Sequence, residues 1–267
     1  MRDTADGRQS IVRVVSWNVF NRNATPPAKI ADFLLAQDAD VICLQEVPDP
    51  VLRELLGRDD TGYAHAVARG MRCAEHGECF LVILSRYPVI RHKKIRGNEG
   101  RGWRSFFSSV WHRLEEHLES HYIDVLTQED RVRIFNVHLE VGTGPRNRLT
   151  QFLRVLRHSA HGKNIIAGDL NIYGETWYQR FIGLMWFGLQ FRELLMDERE
   201  EFERVFSKFR LRNMFRGRTT FCAVEGAADF QFDHILLPED AIVSSTSVFE
   251  EQCGSDHKLI IADVHSM

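Results

Sequence analysis

The sequence predicts an α/β fold with its strands in two groups. Short β-branched runs recur along the chain between segments whose apolar residues fall at helical spacing, which excludes an all-helical or all-strand class. With 267 residues, 44% of them hydrophobic, the chain can bury one large core. No repeat, low-complexity stretch or Gly/Ser/Pro-rich linker divides it. Residues 1–10, MRDTADGRQS, are polar and read as a loose tail, leaving 11–267 as a single domain.

The elements follow in order. IVRVVSWNV (11–19) is a β-branched run typical of a buried strand. TPPAKIADFLLAQ (25–37) predicts a helix capped by Thr25, with two prolines in its first turn and Ile30, Phe33, Leu34 and Gln37 on one face. DVICLQEV (40–47) is a second buried strand ending at a carboxylate, and CFLVILSRYPV (79–89) is a third, stopped near Pro88. HYIDVLTQEDRVRIFNVHL (121–139) reads as a hairpin turning at 128–130. In PRNRLTQFLRVLRHSAHG (145–162), Leu149, Phe152, Leu153 and Leu156 mark a helix that Gly162 terminates. The strand NIIAGDLN (164–171) comes directly after. Helical segments are expected over roughly 175–212, and TTFCAV, DHILLP and LIIADV supply short closing strands.

Bulk properties exclude several classes. A formal charge of -3 announces no nucleic-acid or membrane partner, so any basic surface must be local. The five cysteines are odd in number and scattered, which favours a reducing compartment over a secreted disulfide scaffold. The polar start lacks the apolar core of a signal peptide, and the most apolar window, FIGLMWFGLQFRELLM, is interrupted by Gln190, Arg192 and Glu193. A cytoplasmic protein without stable membrane insertion is the expectation, with a monomer as one reading and the oligomeric state left open. Cys73, His76 and Cys79 offer only three borderline zinc ligands, and a fourth is missing.

The main functional signal is positional. Apolar strands end in, or run into, Asn18, Glu46, His138, Asp169 with Asn171, and Asp256 with His257. Polar groups at buried strand ends can converge on one sheet edge, where carboxylates repel unless a cation or shared protons offset them. Oxygen donors from Asn, Asp and Glu suit Mg²⁺, Mn²⁺ or Ca²⁺ better than zinc.

At these residues the chain resembles the endonuclease/exonuclease/phosphatase superfamily, which includes pancreatic deoxyribonuclease, exonuclease III, sphingomyelinases and inositol polyphosphate phosphatases. The motifs are SWNVF at 16–20, LQEV at 44–47, NVHLE at 136–140, AGDLN at 167–171, FDHILL at 232–237 and GSDHKL at 254–259, in the family's order. Leu259 stands where the family commonly has proline, which touches loop stiffness rather than chemistry. The resemblance implies a four-layer α/β sandwich of two packed mixed β-sheets flanked by helices, as in deoxyribonuclease I.

It also implies roles. Asn18, Glu46 and Asp256 resemble metal ligands. Asp169 resembles the carboxylate that orients and deprotonates the attacking water, and Asn171 the amide that holds a phosphate oxygen. His138 resembles a histidine donating to the phosphate or leaving oxygen, with Glu78 at the place of its orienting glutamate. Asp233 and His257 resemble a second dyad in which a buried carboxylate keeps an imidazole protonated. The activity implied is Mg²⁺-dependent phosphoester hydrolysis by in-line attack of water.

Nucleic acid is the leading substrate reading. The stretch RHKKIRGNEGRGWR sets Arg91, Lys93, Lys94, Arg96, Arg101 and Arg104 around Trp103, which suits a polyanionic backbone. A lipid or inositol-headgroup phosphoester is the alternative, served by an apolar helix around Trp186. A third reading, an inactive phosphate-binding module, would require lost core residues, and none is lost.

Overall fold

Near-continuous apolar runs are what strands buried on both faces require. The computed structural model describes residues 12–58, 61–73, 77–96, 114–116, 119–127, 130–141, 143–159, 163–173, 196–222 and 229–266. Strands β1 (Val12–Asn18), β2 (Val41–Pro48), β3 (Ala64–Cys73), β4 (Gly77–Ser85), β6 (Leu114–Glu116), β14 (Ile242–Val248) and β15 (Ile260–Ser266) form one sheet, in the order β14-β15-β1-β2-β4-β3-β6. Strands β5 (Val89–Arg96), β7 (Glu119–Leu126), β8 (Arg131–His138), β9 (Asn164–Asp169), β10 (Leu211–Asn213) and β13 (Asp233–Pro238) form the other, in the order β10-β13-β9-β8-β7-β5. A small ladder pairs β11 (Phe221–Cys222) with β12 (Asp229–Phe230).

Period-2 alternation assigns each residue to a layer. Val14, Cys43 and Ile83 of the first sheet meet Ile123, Ile134, Ile165 and Ile235 of the second in a central core. Their neighbours Val15, Trp17, Ile42 and Leu44 point outward against helices α1 (Pro27–Leu35) and α2 (Asp49–Leu56). On the far side, Phe135, Val137 and Ile166 pack against α3 (Pro145–Leu156) and α4 (Glu198–Lys208) through Phe152, Val155, Phe202 and Phe206. Helix, sheet, sheet and helix therefore stack as the four-layer sandwich that the resemblance implies.

Some local expectations change. Thr25 does not cap α1: Pro26 holds that position without a side-chain bond, and Thr25 Oγ1 donates instead to the Cys253 carbonyl at 3.1 Å. That tie anchors the loop carrying Asp256, and Gly254 sits there at φ +83°, where a Cβ would lie 2.2 Å from Thr25 Oγ1. Helix does not continue to 212 either, because α4 ends at Lys208 and Leu211–Asn213 pairs with β13. Its first turn is closed by the Asp197 side chain, which accepts from the Glu200 amide. The expected apolar helix around Trp186, and Arg101, Trp103, Arg104 and His76, lie outside the described residues.

Candidate active site

Strand direction brings the polar residues together. β1 runs parallel to β2, and β8 parallel to β9, so Asn18, His138 and Asp169 all finish at one edge of the sandwich. β13 and β15 run antiparallel to β9 and β1, so Asp233 and the Asp256–His257 loop reach the same edge from strand beginnings. In β2 the ladder to β4 is interrupted between Leu44 and Val47, and Glu46 takes φ +51° there. Asn171 sits at φ +48°. Left-handed conformations at non-glycine residues are costly and cluster where side chains must be re-aimed. Gly168 allows the close contact between β8 and β9, since a Cβ on it would lie 1.9 Å from the Val137 carbonyl oxygen.

Asp169 is almost fully buried and doubly held. Its Oδ1 accepts from the Asn171 amide N–H at 2.9 Å and its Oδ2 accepts from Asn18 Nδ2 at 3.0 Å. Burial raises its pKa, the nearby His257 opposes that, and the Asp233 carboxylate reinforces it. Nε2 of His138 and Nε2 of His257 lie 3.7 and 3.8 Å from the same Oδ2, so two imidazoles flank this oxygen.

His257 and Asp233 form a dyad, with His257 Nδ1 2.8 Å from Asp233 Oδ2. Burial alone would favour neutral imidazole, but the carboxylates of Asp233, Asp169 and Asp256 outweigh it and raise the pKa to about 10. The imidazolium is thus the neutral-pH form. Thr220, which no motif flagged, accepts at Oγ1 from the amides of both Phe232 and Asp233, at 3.0 Å each, and fixes the start of β13. Aromatic rings wall this side: Phe221 lies 4.8 Å from the His257 ring, and Phe230 stacks on Phe232 at 5.0 Å.

Asn18 does not present its amide oxygen to the centre. Nδ2 donates to Glu46 Oε1 at 3.2 Å as well as to Asp169, and Oδ1 accepts from the Phe20 amide at 3.0 Å. The flanking carboxylates and the backbone donor fix that orientation. Asn18 therefore spaces two carboxylates, and its Oδ1 accepts from the Phe20 amide with one of two lone pairs.

Glu78 and His138 are not hydrogen-bonded. His138 Nδ1 is buried and finds no partner among the described residues, while Nε2 faces Glu46 Oε1 at 3.7 Å. Glu78 is half-buried near the start of β4, opposite Arg72 of β3, and the re-aimed Glu46 occupies the ground beside the histidine.

Glu46 lies near enough to Asp256 for the two carboxylates to repel, which makes the pair a candidate place for a cation. The Asp256 carboxyl has Oδ1 buried without a hydrogen-bond partner, and its pKa is raised to about 6 by burial first, with His257 opposing and Glu46 and Asp169 adding repulsion. A shortage of positive charge between oxygen donors is what a hard divalent ion relieves. Asp169, Asp233 and His257 also offer ligand atoms within 4.8 Å of one another. In that trio His257 Nδ1 is committed to Asp233, which leaves Nε2, 3.8 Å from Asp169 Oδ2.

Two further residues position the site from beneath and escaped the sequence reading. Asn136 of β8 donates across the core to the carbonyls of Leu44 and Val82, at 2.8 and 3.0 Å, and its Oδ1 accepts from Gln45 Nε2 at 2.8 Å. These carbonyls lie where the β2–β4 ladder is interrupted, so one sheet satisfies the backbone of the other where Glu46 turns. Ser255 plays the corresponding part in the other loop: its Oγ donates to the Asn18 carbonyl at 2.7 Å and accepts from the His257 amide at 3.0 Å.

Two packed mixed sheets with acidic residues and a histidine–carboxylate dyad at one edge define a phosphoester-hydrolase type of fold and site. Residues 15–257 match the Endonuclease/Exonuclease/phosphatase family, and the chain belongs to it. Members of this family hydrolyse phosphoesters and generally depend on divalent metal.

Solved structures agree on the fold. An endonuclease/exonuclease/phosphatase from Beutenbergia cavernae is 18% identical with a TM-score of 0.70, covering 97% of this chain and 72% of its own. One from Bacteroides vulgatus is 13% identical with a TM-score of 0.71, covering 97% and 100%. TDP2 of D. rerio, solved with a single-strand DNA product, is 15% identical with a TM-score of 0.64, covering 96% and 99%. No curated protein sequence matches the chain. Among the described residues, no helix is long and apolar enough to cross a membrane.

Proposed function

We propose that this protein is a Mg²⁺-dependent phosphodiesterase acting on nucleic acid, with water as the attacking group. The observation that carries the reading is the placement of a buried, two-point-held Asp169 between two imidazoles, beside an Asp256 carboxyl whose pKa burial and the nearby Glu46 raise. Glu46 and Asp256 would hold the ion, which supplies Lewis-acid polarisation of phosphate oxygen when bound. Mn²⁺ fits the same donors.

The chain's own groups divide the rest of the work. Asp169 orients a water through Oδ2 and takes its proton, and burial raises its basicity toward the operating pH. His257, kept protonated by Asp233, donates from Nε2 to an oxygen on which charge builds. His138 stands on the other side of Asp169 Oδ2 and can donate to the phosphate or leaving oxygen. Asn171 already spends one N–H on the Leu139 carbonyl at 2.9 Å and has a second for a phosphate oxygen. Asn18 keeps Asp169 and Glu46 apart and oriented, which is the role we assign it in place of ligation. Glu78 is left without a part in this scheme.

A nucleic-acid substrate is supported by the unpaired cations on β5 described below and by the DNA product seen in the TDP2 relative. The test is hydrolysis of DNA, RNA, sphingomyelin, inositol phosphates and a nitrophenyl diester, each with Mg²⁺, Mn²⁺ or EDTA. Nucleic acid and the nitrophenyl diester should be cleaved and EDTA should abolish both. Exclusive cleavage of a lipid or inositol substrate would replace the nucleic-acid reading, and turnover undiminished by EDTA would remove the metal.

A further inference from the structure

We infer that the exposed strand β5 is a docking edge for the sugar–phosphate backbone of a nucleic-acid strand leaving the active site. This rests on the nucleic-acid reading above and adds the surface that holds the substrate. β5 is the end strand of its sheet, and Arg91, His92, Lys93, Lys94 and Arg96 are all exposed. Alternation places the four cations, Arg91, Lys93, Lys94 and Arg96, on both sides of the edge. Arg91 and Lys93 lie close enough to His158 to depress its pKa alongside burial, and Lys94 acts likewise on His92 and His121.

Edge protection alone does not account for this density. Charged side chains on edge strands prevent sheet-to-sheet association. β14, an end strand of the other sheet, reads IVSSTSV and carries none. Several basic residues elsewhere on the surface are neutralised, as in Arg53–Asp49, Arg58–Asp32, Arg86–Asp38, Arg204–Glu200 and Lys258–Glu250. Arg91, Lys93, Lys94 and Arg96 form no ion pair among the described residues. Asp124, opposite Arg91 in the ladder, is already taken by Arg131 and Arg133. Four uncompensated cations on one strand of a chain with net charge -3 form a local field suited to a polyanion.

The stripe also leads from the site. Arg96 sits opposite Glu119 in the β5–β7 ladder, and continuing the β7–β8 register from His121 and Asn136 puts Glu119 level with His138. Arg96 thus lies two strands, roughly 10 Å, from the catalytic edge, and Arg91 is about 17 Å farther along β5. Lys93 and Lys94 fall between them. A chain bound at the scissile phosphate would meet these cations in succession, as phosphate-tracking grooves require.

The test uses the full chain with Lys93→Ser, Lys94→Ser and Arg96→Ser combined, none of which belongs to the catalytic machinery. Binding of a fluorescent single-stranded DNA oligonucleotide is measured in EDTA across a salt series, and hydrolysis of a nitrophenyl diester is measured with Mg²⁺. The variant should bind roughly tenfold more weakly, its log K against log salt slope should flatten by about 2, and diester hydrolysis should be unchanged. Equal affinity and equal slope for both proteins, with the wild type binding DNA, would overturn the docking edge alone. Diester hydrolysis without DNA or RNA binding by the wild type would overturn the nucleic-acid reading with it. Binding of anionic vesicles in place of oligonucleotide, lost in the variant, would overturn it in favour of a membrane surface.

Discussion

Asp169→Asn should lower kcat on the preferred phosphodiester by about 10³-fold, with the thermal midpoint near that of wild type. Asparagine keeps the shape and, with its one oxygen, keeps one of the two bonds that Asn18 and the Asn171 amide donate, but it cannot take a proton from water. The side chain ends a strand and fills no hydrophobic layer, so packing is unchanged. Substitution also removes a negative charge next to His257, which lowers the imidazole pKa but leaves the Asp233 partner in place. Steady-state hydrolysis with Mg²⁺ alongside a melting curve checks both halves. Near-wild-type turnover would rule out Asp169 as the base.

Arg148→Met should destabilise the protein by about 3–5 kcal/mol, because it strands a buried carboxylate. Arg148 and Glu198 are 1% and 2% exposed and pair through two bonds of 2.8 Å, Nε to Oε1 and Nη2 to Oε2. Glu198 Oε2 also accepts from the Tyr173 amide at 3.0 Å, the guanidinium lies 4.8 Å over the Tyr173 ring, and it donates to the carbonyls of Thr143 and Val141. One ion pair thus ties α3, the start of α4 and the two loops that follow His138 and Asn171. A loss of that size should lower the midpoint by roughly 10 °C in a chain of this length. The double variant Arg148→Met, Glu198→Leu should recover part of it, since no unpaired charge is left. A single variant as stable as wild type would show that the pair contributes nothing.

How much was legible in the sequence differs between the layers and the site's supports. The buried strands and the motif residues at their ends were readable, because β-branched runs and strand-end polar groups are local signals. α2 was not read, since DPVLRELL is short and charged on its outer face, with only Val51, Leu52 and Leu55 buried. β5 was hidden for the opposite reason: VIRHKKIR carries its charges on exposed positions of an edge strand, and its pattern reads as a solvated loop. At the site, Asn18 was read as a ligand, and the hydrogen bonds that orient its amide go to carboxylates far away in sequence. The Glu78–His138 pairing failed on the same ground, because the interruption in β2 that turns Glu46 toward the histidine depends on Asn136 of the other sheet. Contacts between sheets leave no periodic trace in the chain.

The central claim is that Glu46 and Asp256 hold one divalent ion beside Asp169. Mn²⁺ binding, followed by its paramagnetic signal, addresses it without reference to any substrate. Wild-type protein should take up Mn²⁺ saturably and Mg²⁺ should compete. Glu46→Gln combined with Asp256→Asn should lose that binding while the melting transition is kept. Undiminished binding by the folded double variant would place the ion elsewhere and contradict the account.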